Sequence, residues 1–109
     1  MSREKKQRIY PRFVAELPVE IITQAGIQHG TSVDLSIGGI RLRTSPPLEF
    51  GATVTLRFRL PWLEEDTVVE STVRWVEPDR AGLQFGSLRA RDVWALNRLF
   101  RDSLPPPSA

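Results

Sequence analysis

The sequence predicts a mainly β protein: a small antiparallel barrel or sandwich of about six short strands, followed by one C-terminal helix. Three observations predict it. Apolar and polar residues alternate with period two through several short runs, the period at which side chains point to opposite faces of a strand. Clusters of Gly, Pro, Ser and Asp separate those runs at the close spacing of consecutive antiparallel strands. One stretch near the end switches to helical spacing and stops at three prolines.

The first β-like runs cover residues 19–25 and 28–36, with the breaker Ala25-Gly26 between them. Ile37-Gly38-Gly39 then leads into residues 39–44, where Ile40 and Leu42 alternate with Arg41 and Arg43. Ser45-Pro46-Pro47 ends that run. Residues 53–60 are the cleanest strand: Val54, Leu56, Phe58 and Leu60 face a core, while Thr53, Thr55, Arg57 and Arg59 face water. After a break at 61–66, Val69, Ser71, Val73 and Trp75 make the next inward set, against Glu70, Thr72 and Arg74. Glu77-Pro78-Asp79 separates it from the last run, 81–85. In residues 90–104, Val93, Leu96, Leu99 and Phe100 line one helical face, with Arg91, Asp92, Arg98, Arg101 and Asp102 opposite. Ser87 or a neighbour caps this helix, and Pro105-Pro106-Pro107 terminates it. Its apolar face closes an open end of the barrel or packs on a partner.

A length of 109 residues allows one core and one domain. Hydrophobic residues at 40% and charged residues at 26% are ordinary globular usage, which excludes wholesale disorder. Cysteine is absent, which excludes a disulfide framework and thiol catalysis and fits a reducing cytoplasm. No apolar run nears the roughly 20 residues of a membrane helix, so a soluble cytoplasmic protein without membrane insertion is expected. The organisation predicted is a flexible basic arm at 1–12, the barrel and helix at 13–104, and a disordered tail at 105–109.

Net charge is +2, but its distribution is uneven. Arg3, Lys5, Lys6, Arg8 and Arg12 stand against Glu4 alone in the arm, a local +4 that leaves −2 for the rest of the chain. Such an arm is either a solvated tail or a segment that folds over an anionic ligand.

Catalysis finds no constellation in the sequence. The single histidine, His29, lies beside Gly30 in an expected turn, without a second histidine or a cysteine to make a metal cluster or a nucleophile–base pair. Glu64-Glu65-Asp66 reads as a solvated hairpin tip. No enzyme, metal or cofactor is expected.

Binding is better supported. Arg8-Ile9-Tyr10-Pro11-Arg12 is an RxxxR on a stretch that Pro11 biases towards extended conformations. Guanidinium forks can hold a phosphate in two bonds, grip the O6/N7 edge of guanine or stack on a base. Asp34-Leu35-Ser36-Ile37-Gly38-Gly39 lies between two β runs. There an aspartate can accept from guanine N1–H and N2–H, a serine can serve phosphate or backbone, and the glycines allow positive φ and close approach of a ligand. The same six residues also suit a plain tight turn.

RxxxR followed about twenty residues later by DxSxxG on a small barrel resembles the PilZ domain, a family of bacterial receptors for the second messenger cyclic di-GMP. The resemblance runs from Arg8 to about Leu104. It implies a six-stranded antiparallel β-barrel with one C-terminal α-helix, the latter preceded by the strand Gly82-Leu83-Gln84-Phe85. It further implies that Arg8 and Arg12 clamp phosphates and guanine edges of cyclic di-GMP, that Asp34, Ser36 and Gly39 line the barrel face beneath, and that the arm orders over the ligand. Many members carry a second arginine directly after the first, where this chain has Ile9; that bears on affinity or on how many ligand molecules stack. With no output domain of its own, such a receptor signals through an unidentified effector protein, by the helix face with Trp94 and Arg98 or by the hairpin with Trp62.

Two alternatives stand beside this reading. A PilZ-like adaptor that binds only protein typically lacks the motif arginines, which this chain keeps. A single-stranded nucleic-acid binder would display aromatics beside Arg57 and Arg59, whereas Phe58, Trp75 and Phe85 fall on core-phased positions. No nucleic-acid partner is therefore expected.

Overall fold

A computed structural model describes residues 12–103. They form seven strands and a helix: β1 Phe13–Val14, β2 Pro18–Thr23, β3 Gly26–Leu35, β4 Gly39–Thr44, β5 Thr53–Phe58, β6 Thr67–Val76, β7 Arg80–Phe85 and α1 Ala90–Ser103. All pairings are antiparallel, in the order β3-β2-β5-β6-β7-β4, and a β3–β4 pairing closes these six strands into a barrel. The predicted architecture is the observed one, with one addition: β1 pairs with Asp34 and Leu35 at the end of β3. Two residues are too few for an alternation to reveal, so β1 left no signal in the sequence.

Inward residues of every barrel strand fill one core. Ile21, Leu35, Leu42, Leu56 and Val73 are fully buried in it, and Phe58 and Phe85 stack within it at 6.0 Å between ring centroids. Burying each large aliphatic side chain stabilises the fold by about 1.5–3 kcal/mol. The start of the described chain is tied to this core by Phe13, which is buried, and by Ser32. Ser32 Oγ donates to the Ala15 carbonyl and accepts from the Leu17 N–H at 2.8 Å, while its own N–H donates to the Leu17 carbonyl at 2.9 Å. Those bonds satisfy the polar groups of the β1–β2 connection beside β3.

Four expectations change. His29 lies within β3, paired across to Glu20, and the turn falls earlier, at Gly26 with φ +129°. A side-chain hydroxyl supports that turn: Thr23 Oγ1 donates to the Gly26 carbonyl and accepts from the Ala25 N–H. The helix cap falls on Arg89 rather than Ser87. Asp92 accepts the Arg89 N–H at 3.2 Å, half of a capping box, and its other oxygen accepts from Thr67 Oγ1 at 2.6 Å. Asp92 is accordingly buried rather than on the solvent side of α1, where a carboxylate in the first turn also suits the helix dipole. The tip at Glu64-Glu65-Asp66 is solvent-facing as expected, and its acids carry ion pairs there: Asp66 with Arg59 at 2.9 Å and Glu65 with Arg91 at 2.5 Å. Trp75 is the fourth change and belongs to the site below.

Ala95 and Leu96 carry α1 into the core, with Leu99 and Phe100 packed at its edge, and α1 touches β1. On the opposite side Trp94 meets Trp62, edge to face, with ring centroids 6.5 Å apart. The Arg98 guanidinium lies 4.5 Å from the Trp62 ring. The two surfaces separated by more than thirty positions in the sequence are thus one patch. Trp62 sits at φ +70°, a strained conformation for a bulky residue.

Asp92→Ala leaves a buried hydroxyl and a helix-end N–H without their acceptor. We expect a loss of about 2 kcal/mol in urea unfolding, with faster amide exchange confined to the first turn of α1.

Candidate functional site

Two β-bulges decide which side chains reach the outer face of the barrel. Along β3, strict alternation would place Asp34 on the same inner face as Ser32. The ladder with β4 pairs Ser32 with Leu42 and Asp34 with Arg41, so Val33 is an extra residue and the phase shifts after it. Asp34 therefore turns outward beside Arg41, and Leu35 turns into the core against Ile40. Along β6 the ladder pairs Val73 with Leu83 and Trp75 with Gly82, which makes Arg74 the extra residue. Trp75 was expected inside, in phase with Val69, Ser71 and Val73. The bulge brings it out, and it is 36% exposed.

Arg41 is in turn the partner of Gly82 on β7. Asp34, Arg41, Gly82 and Trp75 thus form one row of cross-strand neighbours over β3, β4, β7 and β6. Gly82 is the gap in that row. A Cβ there would overlap the Trp75 indole, so the missing side chain lets the indole lie flat across β7.

Arg12 completes the arrangement from the other motif. Its Nε donates to Asp34 Oδ1 at 2.9 Å, and its terminal nitrogen lies 2.8 Å from the same oxygen. Arg41 grips the carboxylate edge-on, its Nε 2.8 Å from Oδ2 and its terminal nitrogen bonded to Oδ2 as well. Asp34 is 4% exposed and bound by two guanidiniums that themselves reach solvent. Burial raises its pKa, but the hydrogen bonds from Arg41 and Arg12 and their charges outweigh it, so the carboxyl lies below its ordinary value. The pair also raises the pKa of Arg41.

Ser36 and the glycines build the adjoining turn. Both the Gly38 and Gly39 N–H groups donate to Ser36 Oγ, at 3.1 and 3.2 Å, and the Ser36 N–H donates to the Gly39 carbonyl at 2.9 Å. Neither Gly38 nor Gly39 uses the positive φ that glycine allows; Gly26 and Gly51 do. Gly39 instead allows close approach, because a Cβ there would collide with the Leu83 carbonyl of β7.

Around this row lies a groove of about 660 Å³. Arg12, Arg41, Arg74 and Arg80 line it with Trp75 and Gln84, and Glu77 is the acid among its lining residues. Arg74 is held by Gln84, Nε to Oε1 at 2.7 Å. With Asp34 beneath, the local charge is +2. The structure thus brings Arg12, Asp34, Ser36 and Gly39 together; Arg8 lies outside the described residues. Sequence reasoning missed Arg41, Arg74, Trp75, Arg80 and Gln84. A signal existed for Arg41: a hairpin turning at Ile37-Gly38 makes it the cross-strand neighbour of Asp34. Among the described residues no group of acids and histidines could hold a metal ion, and no helix is long and apolar enough to cross a membrane.

Comparison with known proteins agrees with this geometry. The PilZ domain family model matches residues 6–102. The inhibitor of motility MotI/DgrA of Bacillus subtilis is similar in structure, with a TM-score of 0.76 and 26% identity over 94% of this chain and 56% of that one. The PilZ domain of CeSA from a cellulose-synthesizing bacterium has a TM-score of 0.65 at 24% identity, covering 84% of this chain and 96% of its own. The K. pneumonia MrkH–c-di-GMP complex gives 0.66 at 16% identity, over 89% of this chain and 52% of that one. The chain therefore spans about half the length of MotI and of MrkH, and the likenesses to CeSA and MrkH speak for the fold alone. No curated protein matches it.

Two outcomes are expected at this site. Asp34 has a lowered folded-state pKa, so its contribution is fully present above the ordinary carboxylate value and is lost as pH falls through the folded value. Asp34→Asn should cost about 2 kcal/mol at neutral pH, and its stability should fall less than that of the wild type on going from about pH 5 to about pH 2. Urea unfolding over that range checks both. Gly82→Ala should displace the indole and shift the emission of Trp75, read against a Trp75→Phe control.

Proposed function

The chain belongs to the PilZ domain family, and we propose from that premise that it is a receptor for cyclic di-GMP. The observation that carries the reading is the meeting of the two motifs: Arg12 of RxxxR is bonded to Asp34 of DxSxxG, 22 positions away. Cyclic di-GMP carries two phosphate charges and two guanines. A groove of net +2, rimmed by guanidinium forks and one exposed indole, is complementary to both parts.

The roles follow from the chemistry of each group. Arg8 and Arg12 clamp phosphate and the guanine edge, the fork geometry that a lysine cannot supply. Asp34 lies beneath the ligand and holds Arg12 in place through Oδ1, while Arg41 holds Oδ2 with two bonds. Ser36 and Gly39 shape the turn beneath the ligand and keep it low. Trp75 offers a face on which a base can stack. The domain division remains part of this proposal: an arm at 1–12 that orders over the ligand, and the barrel and helix at 13–104, with the tail expected at 105–109 outside the described residues. Binding makes and breaks no covalent bond.

Each charge-assisted hydrogen bond contributes about 1.5–3 kcal/mol. Several of them, less the cost of ordering the arm, reach about 8 kcal/mol, a micromolar dissociation constant. The bound state passes to an effector protein. The contact of α1 with β1, which directly follows Arg12, supports an exit through the helix and its Trp62–Trp94–Arg98 patch.

Calorimetric titration with cyclic di-GMP tests the reading. We expect saturable micromolar binding, none with GTP, and none for Arg8→Ala or Arg12→Ala, with both variants still folded. Undiminished affinity in these variants would refute it. The absence of heat or competition for the wild type at high ligand concentration would leave a PilZ adaptor of protein partners.

A further inference from the structure

Arg41 belongs to neither sequence motif, yet it stands at the centre of the cross-strand row and holds the carboxylate on which Arg12 rests. We propose that Arg41 is a positioning residue of the groove: its edge-on grip fixes Asp34, and Asp34 so fixed presents the Arg12 guanidinium to the ligand. The part concerning ligand affinity rests on the cyclic di-GMP reading above.

The reason lies in how weakly the backbone alone would fix Asp34. The residue directly follows the bulge at Val33, where the ladder is locally disrupted. The terminal torsion of an aspartate is broad and roughly two-fold, so the carboxylate plane is free unless its oxygens are held. Arg41 holds both: Nε is 3.0 Å from Oδ1 and 2.8 Å from Oδ2, and its terminal nitrogen is bonded to Oδ2. Arg12 bonds to Oδ1 only. Rotation of the carboxylate therefore moves the acceptor from under Arg12 while leaving Arg41 a choice of oxygens.

Arg41 is also the better anchored of the two cations. It lies within β4, paired on one side with β3 and on the other with β7, whereas Arg12 precedes the two-residue β1. The direction of control thus runs from the barrel to the arm. An ammonium in place of the guanidinium would keep the charge but lose the parallel pair of N–H bonds, so charge alone does not fulfil this role.

The test combines a ligand readout with one that needs no ligand. Arg41→Gln should weaken cyclic di-GMP binding about tenfold, and Arg41→Lys should fail to restore it, with both variants folded by near-ultraviolet circular dichroism. In an Asp34→Asn background, Arg41→Gln should cost no further affinity, since the two residues act in series. Without ligand, the Nε–H resonance of Arg12 should be protected from exchange in the wild type and exposed in both Arg41 variants. Wild-type affinity in Arg41→Lys, full additivity with Asp34→Asn, or an unchanged Arg12 resonance would each overturn the proposal. If Arg41→Gln does not fold, the lysine variant alone decides. If the wild type takes no cyclic di-GMP, the receptor reading falls, and the Arg12 resonance still decides the role of Arg41.

Discussion

The ten residues of β3 are the constraint on which the molecule depends. One flank of the strand pairs first with β2 and then with β1, and the other pairs with β4, so β3 both closes the barrel and receives the incoming chain. The extra residue at Val33 lets one strand serve both purposes. Before it, Ser32 faces inward and satisfies the connection from Ala15 to Leu17; after it, Asp34 faces outward and receives Arg12. A strand with unbroken alternation would bury Asp34 in an apolar core, at a cost no ordered arm could offset.

Placing a carboxylate at the bottom of a cationic groove has two effects that pull in opposite directions. It removes one unit from the positive potential that attracts an anion. It also fixes guanidiniums that would otherwise sample many rotamers, and so lowers the entropy lost on binding. The second effect dominates where the ligand is small and contacts are few, because each immobilised arginine counts for a large share of the total.

Much of the fold was legible because period-two alternation holds through β2, β4 and β5 and along β6 as far as its bulge. The helix was legible because Leu96, Leu99 and Phe100 keep helical spacing. What escaped was local and had physical causes. Bulges reset the phase without any mark in composition, so Trp75 read as core, and the pairing of Asp34 with Arg41 went unread. Asp92 read as solvent-facing because a buried carboxylate is legible only with its partner, Thr67, which lies 25 positions away. The motif residues Arg12, Asp34, Ser36 and Gly39 were legible as candidates, but the cations of the far wall, Arg74 and Arg80, looked like ordinary outward residues of their strands. Their convergence is a property of the barrel's curvature and of pairings among β4, β6 and β7.

Closure of the six strands has a consequence for how this domain meets other proteins. An open sheet offers rows of unpaired N–H and C=O groups to which a foreign strand can add, the route to both β-augmentation and aggregation. Here each of the six barrel strands has a neighbour on both flanks. The additional strand, β1, is two residues long, too short to template another chain. Recognition of this barrel is therefore left to side chains, so its specificity can drift by surface substitution without endangering the hydrogen-bonded frame.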